Sequence, residues 1–283
     1  TFLVSGHVGE WAELMWPHMY ELYESTNFSG DFYNDAPGIN GKYGYKYTFQ
    51  LIGDGVEESS YFSLGVFAHE MFHIIGARDL YHYYSDDGID AVENWGLMDA
   101  TTDIPSHMLL YMKEYYGQWD QDDYGVSVDG TYTLNKSTSL TDNLIIIDLE
   151  YSNEYLYIEY RTQTGLYEAS IPDDGVLIYR VDKDYEGDGN VDGYYNSSDE
   201  GIEEVYIFRP FTYNHSLYNN FGIYEIVDDG DVDAGMLQFA GNSQAGPTTN
   251  IPLFYSDGYE INISITIVAE NADSVDILID FLD

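Results

Sequence analysis

The segment His69-Glu70-Met71-Phe72-His73-Ile74-Ile75-Gly76-Ala77-Arg78-Asp79 governs how the rest of the chain is read. Two histidines stand four residues apart, with a glutamate beside the first, a glycine three after the second, and an aspartate three beyond that. On an α-helix, four residues return a side chain to nearly the same face, at about 1.5 Å of rise per residue, so both imidazoles can address one ion. Leu64, Phe67, Met71, Ile74 and Ile75 supply an apolar face for such a helix, and Ser59 or Ser60 could cap its start. Gly76 sits where helices commonly end in a left-handed residue. A chain that turns there can bring Asp79 back toward the histidines, whereas a continuing helix would carry it away.

Upstream, Thr1 to His7 is a short apolar run with strand character, and Tyr43 to Ile52 alternates well enough for another strand. Between them, Glu10 to Glu24 carries Trp11, Leu14, Met15, Met19 and Leu22 near helical spacing, interrupted by Pro17, which would kink that helix or start a second one. Asn27 to Lys42 is rich in Gly, Asn and Asp and reads as a surface loop. Downstream, Pro105 and Gly117 bracket a helix expected over Ser106 to Tyr116. From about Tyr124 short β-branched runs recur between Gly, Asp and Asn: residues 130–134, 144–150, 155–161, 175–181, 205–208, 261–268 and 275–281. Such spacing suggests a sandwich-like region. The expected organisation is therefore a catalytic domain over residues 1–122 and a β-rich region over 123–283, packed on or beside it.

At 283 residues the chain can bury a substantial core. Its 51 acidic against nine basic residues give a net charge of −42, which argues against nucleic acid and anionic membranes, since phosphate recognition needs clustered Lys and Arg. The charge suits saline surroundings, bound calcium or cationic substrates, and a solvated surface accounts for most of these carboxylates. There is no cysteine, so no disulfide framework marks a compartment. No apolar run approaches the roughly 20 residues that span a bilayer.

His-Glu-x-x-His on a helix is a zinc-site pattern, with the glutamate as general base. Here His69, His73 and Asp79 are the expected ligands, since a catalytic zinc takes three protein ligands and leaves a fourth position open. Glu70, beside a ligand in sequence but on another side of the helix, would take a proton from water and pass it to a leaving amine. His82 and, more remotely, His107 are competing third ligands; Gly76 favours Asp79. An incidental buried helix is the alternative, and the bare four-residue spacing does not exclude it.

The stretch from Gly65 to His69-Glu70 and on to Asp79-Leu80-Tyr81, together with Asn94-Trp95-Gly96-Leu97-Met98, resembles the immune inhibitor A-like metalloproteases of secreted bacterial peptidases. Trp16-Pro17-His18, Pro105 with Lys113, Gly117-Gln118-Trp119, Tyr157 to Arg161 and Gly175 to Asp182 are similar to flanking segments of that family. The resemblance implies an α+β, metzincin-like catalytic domain, a Met-turn at Met98 supporting the metal, and a secreted zinc endopeptidase whose signal and propeptide lie outside this chain. It also implies structural calcium. Asp79 stands where most metzincins carry histidine, and Ala100 where some hold a tyrosine; Tyr81, Tyr83 or Tyr84 could serve in its place.

For calcium, Asp188, Asn190 and Asp192 alternate with Gly189 and Val191, Gly193 falls at the sixth position, and Asn196 and Asp199 at the ninth and twelfth, as in an EF-hand-type loop. A solvated acidic hairpin would carry the same residues. Asp228 to Asp233 is a second acidic candidate. The expected function is a zinc-dependent endopeptidase acting on protein or peptide substrates. The alternative is a proteolytically silent adhesion module binding glycan or matrix. A monomer is assumed.

Overall fold

The computed structural model describes residues 1–5, 17–21, 38–40, 42–43, 45–52, 63–82, 91–119, 123–190, 203–210, 214–219, 222–228, 232, 236–237 and 243–282. Cα packing divides the chain into two compact units: residues 1–76 with 101–105, and residues 77–100 with 106–283. The boundary expected near Asp122 lies inside the second unit.

The first unit holds β1 (Phe2–Ser5), β2 (His18–Glu21), the small pair β3 (Gly38–Ile39) and β4 (Lys42–Tyr43), β5 (Lys46–Ile52) and helix α1 (Leu64–Ile74). β5 is the centre of a three-stranded sheet, parallel to β1 and antiparallel to β2. The helix expected across Glu10 to Glu24 is corrected at its described part: His18 to Glu21 pairs with Phe49 to Lys46 as an edge strand. Pro17 precedes that strand, and backbone pairing to β5 outweighs the helical spacing of Met19 and Leu22.

α1 packs against β5 and β2. Its cap is Ser63, whose hydroxyl accepts from Val66 N at 3.2 Å; Ser59 and Ser60 lie outside the described residues. Gly65 is needed for close approach, because a Cβ there would collide with the Thr102 carbonyl. The buried face of α1 is Gly65, His69, Glu70 and Phe72, whereas Leu64, Met71 and Ile75 of the expected apolar face are exposed. Burial thus follows the side of the helix that carries the histidine and glutamate, not its most apolar stripe. Lys46 Nζ meets the carbonyls of His73 and Ile74 at 3.5 Å each, placing a cation at the negative end of the helix.

The second unit is strand-built. Its strands are β6 (Asp123–Gly125), β7 (Gly130–Asn135), β8 (Leu144–Asp148), β9 (Glu154–Arg161), β10 (Gly175–Asp182), β11 (Val205–Ile207), β12 (Asn214–Asn219), β13 (Gly222–Asp228), β14 (Met236–Leu237), β15 (Gln244–Ala245), β16 (Ile263–Glu270) and β17 (Ser274–Phe281). A six-stranded sheet runs β11-β10-β9-β8-β6 with β14 also on β10, and a four-stranded sheet runs β15-β16-β17-β7. β12 and β13 pair with each other. β16 and β17 bury alternate residues, Ile263, Ile265 and Ile267 against Val275, Ile277 and Ile279, as strands with one covered face do. β10 is buried at every residue and β9 nearly so.

Helix α2 (Leu110–Tyr115) is shorter than the expected 106–116. The turn before it is already committed elsewhere: His107 N donates to the Tyr167 carbonyl at 3.0 Å, and the His107 carbonyl receives Arg161 Nη2 at 3.2 Å. The α+β, metzincin-like expectation is overturned by this architecture. The chain is mostly β-sheet, with α1 and α2 the α-helices among the described residues. The segment that carries His69 and His73 is one short helix packed against a three-stranded sheet. No helix among the described residues is long and apolar enough to cross a membrane.

Candidate metal centre

α1 carries His69 and His73 one turn apart, with ring centroids 4.7 Å apart and planes nearly perpendicular. The helix stops after Ile74: Ile75 N donates to the Phe72 carbonyl at 3.1 Å and Gly76 N to the His73 carbonyl at 3.0 Å. Gly76 then takes φ +115°, a conformation that side-chain-bearing residues rarely adopt. Three residues later the chain has turned enough that His69, His73 and Asp79 each offer a ligand atom within 4.8 Å of the others. His69 and Asp79 are buried and His73 is half-buried. Glu70 is buried as well.

The donor set fits zinc by its chemistry. Two imidazole nitrogens with one carboxylate oxygen match the ligands of a catalytic zinc site, whereas calcium and magnesium take oxygen donors. No family model, no curated protein and no solved structure matches the chain. The site rests on its own residues.

His82, the competing third ligand, is engaged elsewhere: its Nε2 lies 2.6 Å from Glu203 Oε1, with both side chains buried. His107 sits among Lys113, Glu168 and Arg161. Burial and then the Lys113 charge lower its pKa to about 4, with Glu168 pulling the other way and Arg161 adding to the fall. Met98 is fully buried in a tight knot over residues 93–100. There Glu93 N donates to Asp99 Oδ2 at 2.6 Å, Asp99 N to the Gly96 carbonyl at 3.1 Å, and Trp95 Nε1 to the Val232 carbonyl at 3.0 Å. The Met98 carbonyl accepts Leu80 N at 2.8 Å, so the knot anchors the residue following Asp79. Of the tyrosines considered as donors, Tyr81 is half-buried, and Tyr83 and Tyr84 lie outside the described residues.

In the calcium stretch, Asp188 is exposed, and Asn190 is buried with its side-chain amide spent on the backbone of Val205. Asp192, Gly193, Asn196 and Asp199 lie outside the described residues, as does most of Asp228 to Asp233.

The polar groups buried inside the second unit carry no motif in the sequence. Arg161, fully buried, is bidentate to Glu168 at 2.8 and 2.9 Å and donates to the carbonyls of Trp95 and His107. Glu159 is also fully buried, 3.9 Å from Arg161, and burial raises its pKa against the pull of Arg161 and Lys113. Glu204 is buried under two tyrosine hydroxyls. The available signal is a charge inside an otherwise apolar strand, as in Tyr157-Ile158-Glu159-Tyr160-Arg161, or directly before one, as in Glu203-Glu204-Val205-Tyr206-Ile207.

Proposed function

We propose that the protein is a zinc-dependent endopeptidase in which His69, His73 and Asp79 hold the metal and Glu70 is the general base. The observation that carries this reading is the convergence of those three donors beside a buried glutamate on the same helix. The resemblance of residues 60–120 to immune inhibitor A-like peptidases also supports it, and adds secretion and extracellular protein substrates to the reading. Zinc held there would supply Lewis-acid polarisation of a peptide carbonyl and a water made acidic near pH 7, at about pKa 7. Glu70 accepts the proton of the attacking water and delivers it to the leaving nitrogen, a carboxylate role that contributes roughly 100- to 10,000-fold in rate. Asp79 completes the donor set, and its charge offsets part of the metal's.

The test is casein hydrolysis by the purified chain. A zinc chelator should abolish it and added zinc restore it. Glu70→Gln should keep one zinc per chain and lose hydrolysis by about 100-fold or more. Undiminished proteolysis in Glu70→Gln would overturn the mechanism. Stoichiometric zinc with no hydrolysis in the wild type would favour a silent binding module.

A further inference from the structure

Asp79 stands on backbone that is held by a relay within the second unit. The Asp79 carbonyl accepts Asn190 N at 3.0 Å, and the Leu80 N–H of the same peptide group donates to the Met98 carbonyl. Gly189 lies so close that a Cβ would meet Arg78 Cβ and the Asp79 carbonyl oxygen, each at 2.5 Å, and its φ of +74° itself favours glycine. That turn is fixed in its own right. Asn190 Nδ2 donates to the Val205 carbonyl at 2.7 Å, and Val205 N donates to Asn190 Oδ1 at 3.0 Å, so a side chain extends the pairing of β11. Gly189 N donates to Glu204 Oε2 at 2.6 Å.

Glu204 is fully buried and also accepts from Tyr111 Oη at 2.7 Å and from Tyr116 Oη at 2.8 and 2.9 Å. Burial raises its pKa, while the Tyr111 and Tyr116 hydroxyls and the Gly189 amide pull it down. Burying a carboxylate is costly, and well-packed apolar residues often replace buried charges at no loss of stability. What an apolar residue could not provide is an acceptor for Gly189 N, and hence the approach of this turn to Asp79.

We propose that Glu204 is a positioning residue for the third metal ligand: through Gly189 and Asn190 it fixes the backbone that presents Asp79, and zinc affinity depends on it. The inference rests on His69, His73 and Asp79 being the ligands. Glu204→Gln keeps the shape but leaves one acceptor oxygen to serve both the tyrosines and Gly189. Partners behind metal ligands typically change affinity by about 10- to 100-fold when altered.

The experiment is zinc affinity of the full chain, by competition with a chromophoric chelator, in a double-mutant cycle. Asp79→Ala should weaken zinc strongly and Glu204→Gln about 10-fold or more. In the Asp79→Ala background Glu204→Gln should add nothing, because the residue it positions is gone. A purely structural carboxylate would weaken zinc equally in both backgrounds, and that result overturns the proposal, as does wild-type affinity in folded Glu204→Gln. If Glu204→Gln does not fold by near-UV circular dichroism, Glu204→Asp, which keeps the charge but draws the acceptor away from Gly189 N, replaces it, with the same pattern expected and the same pattern overturning it. A wild type that binds no zinc, or an Asp79→Ala that binds as the wild type does, removes the metal reading and this inference with it. Loss in Asp79→Ala without loss in Glu204→Gln removes this inference alone.

Discussion

The proposed metal-ligand group and the buried charges of β9 both gather polar side chains out of water, but by opposite means. His69, His73 and Asp79 converge as donors from eleven consecutive residues. Around Arg161 the chain supplies its own cation: Glu168 takes its guanidinium bidentately, Glu159 lies beside it, and the carbonyls it holds come from residues 66 and 54 positions away. The first arrangement offers the donor set proposed to hold a metal, and in the second the chain itself supplies the cation. One is written into local spacing, while the other exists only once distant segments meet.

The sharpest way to break this contrast is Arg161→Leu. It removes the cation and leaves Glu168 and Glu159 buried, which should cost about 3–5 kcal/mol, the range for removing one partner of a buried pair. Urea unfolding of the zinc-free chain measures it. Replacing Arg161, Glu159 and Glu168 together by apolar residues of similar size should recover most of that loss, because no charge is then stranded. A loss below about 1 kcal/mol for Arg161→Leu alone would mean that water reaches the cluster, and the contrast would fail.

What was legible in the sequence follows the same division. The two-histidine spacing and the Gly76 stop are local, and α1 with its φ +115° glycine realises them within fifteen residues of chain. Seven strands of the second unit announced themselves by β-branched runs between turn residues, with ends matching or off by one or two positions, whereas β6, β12, β13, β14 and β15 fall outside the expected runs. The overall class did not. His18 to Glu21 became a strand because β5 offered it a backbone partner, and the helix starts only at Leu110 because Tyr167 and Arg161 take the backbone groups of His107. Both are tertiary outcomes that no window of neighbours encodes. Glu204 was hidden for the same reason, and Asn190, expected in a calcium loop, pairs instead with the backbone of Val205. In a chain with 51 acidic residues, one carboxylate destined for burial looks like the rest.

A smaller effect sharpens the local half of the contrast. Gly76→Ala forces a Cβ onto the positive-φ residue that ends α1, at a cost of about 1–3 kcal/mol or a displaced turn. If the turn aims Asp79, zinc affinity should fall together with stability, measured by chelator competition and urea unfolding on the same preparation. A stability loss with unchanged zinc affinity would show that residues 77–79 are placed by the second unit alone.

The remaining predicted effect lies at the Arg161 cluster and is read through pH. His107 is held uncharged by burial and by Lys113, its pKa lowered from 6.5 to about 4. Between those values the unfolded chain takes up a proton that the folded chain refuses, so stability falls as pH drops through that window and is fully present above it. Glu168 opposes the shift and Arg161 reinforces it, so the size of the slope reports how their charges balance at the imidazole. His107→Gln keeps the backbone bonds to Tyr167 and Arg161 and removes the titration. The stability advantage of the wild type over this variant should therefore shrink steadily from pH 7 to pH 4 in urea unfolding at constant ionic strength. A difference that stays flat over that range would place a charged His107 in the folded cluster, which would make the Arg161 site one that still accepts protons from solution rather than a closed one.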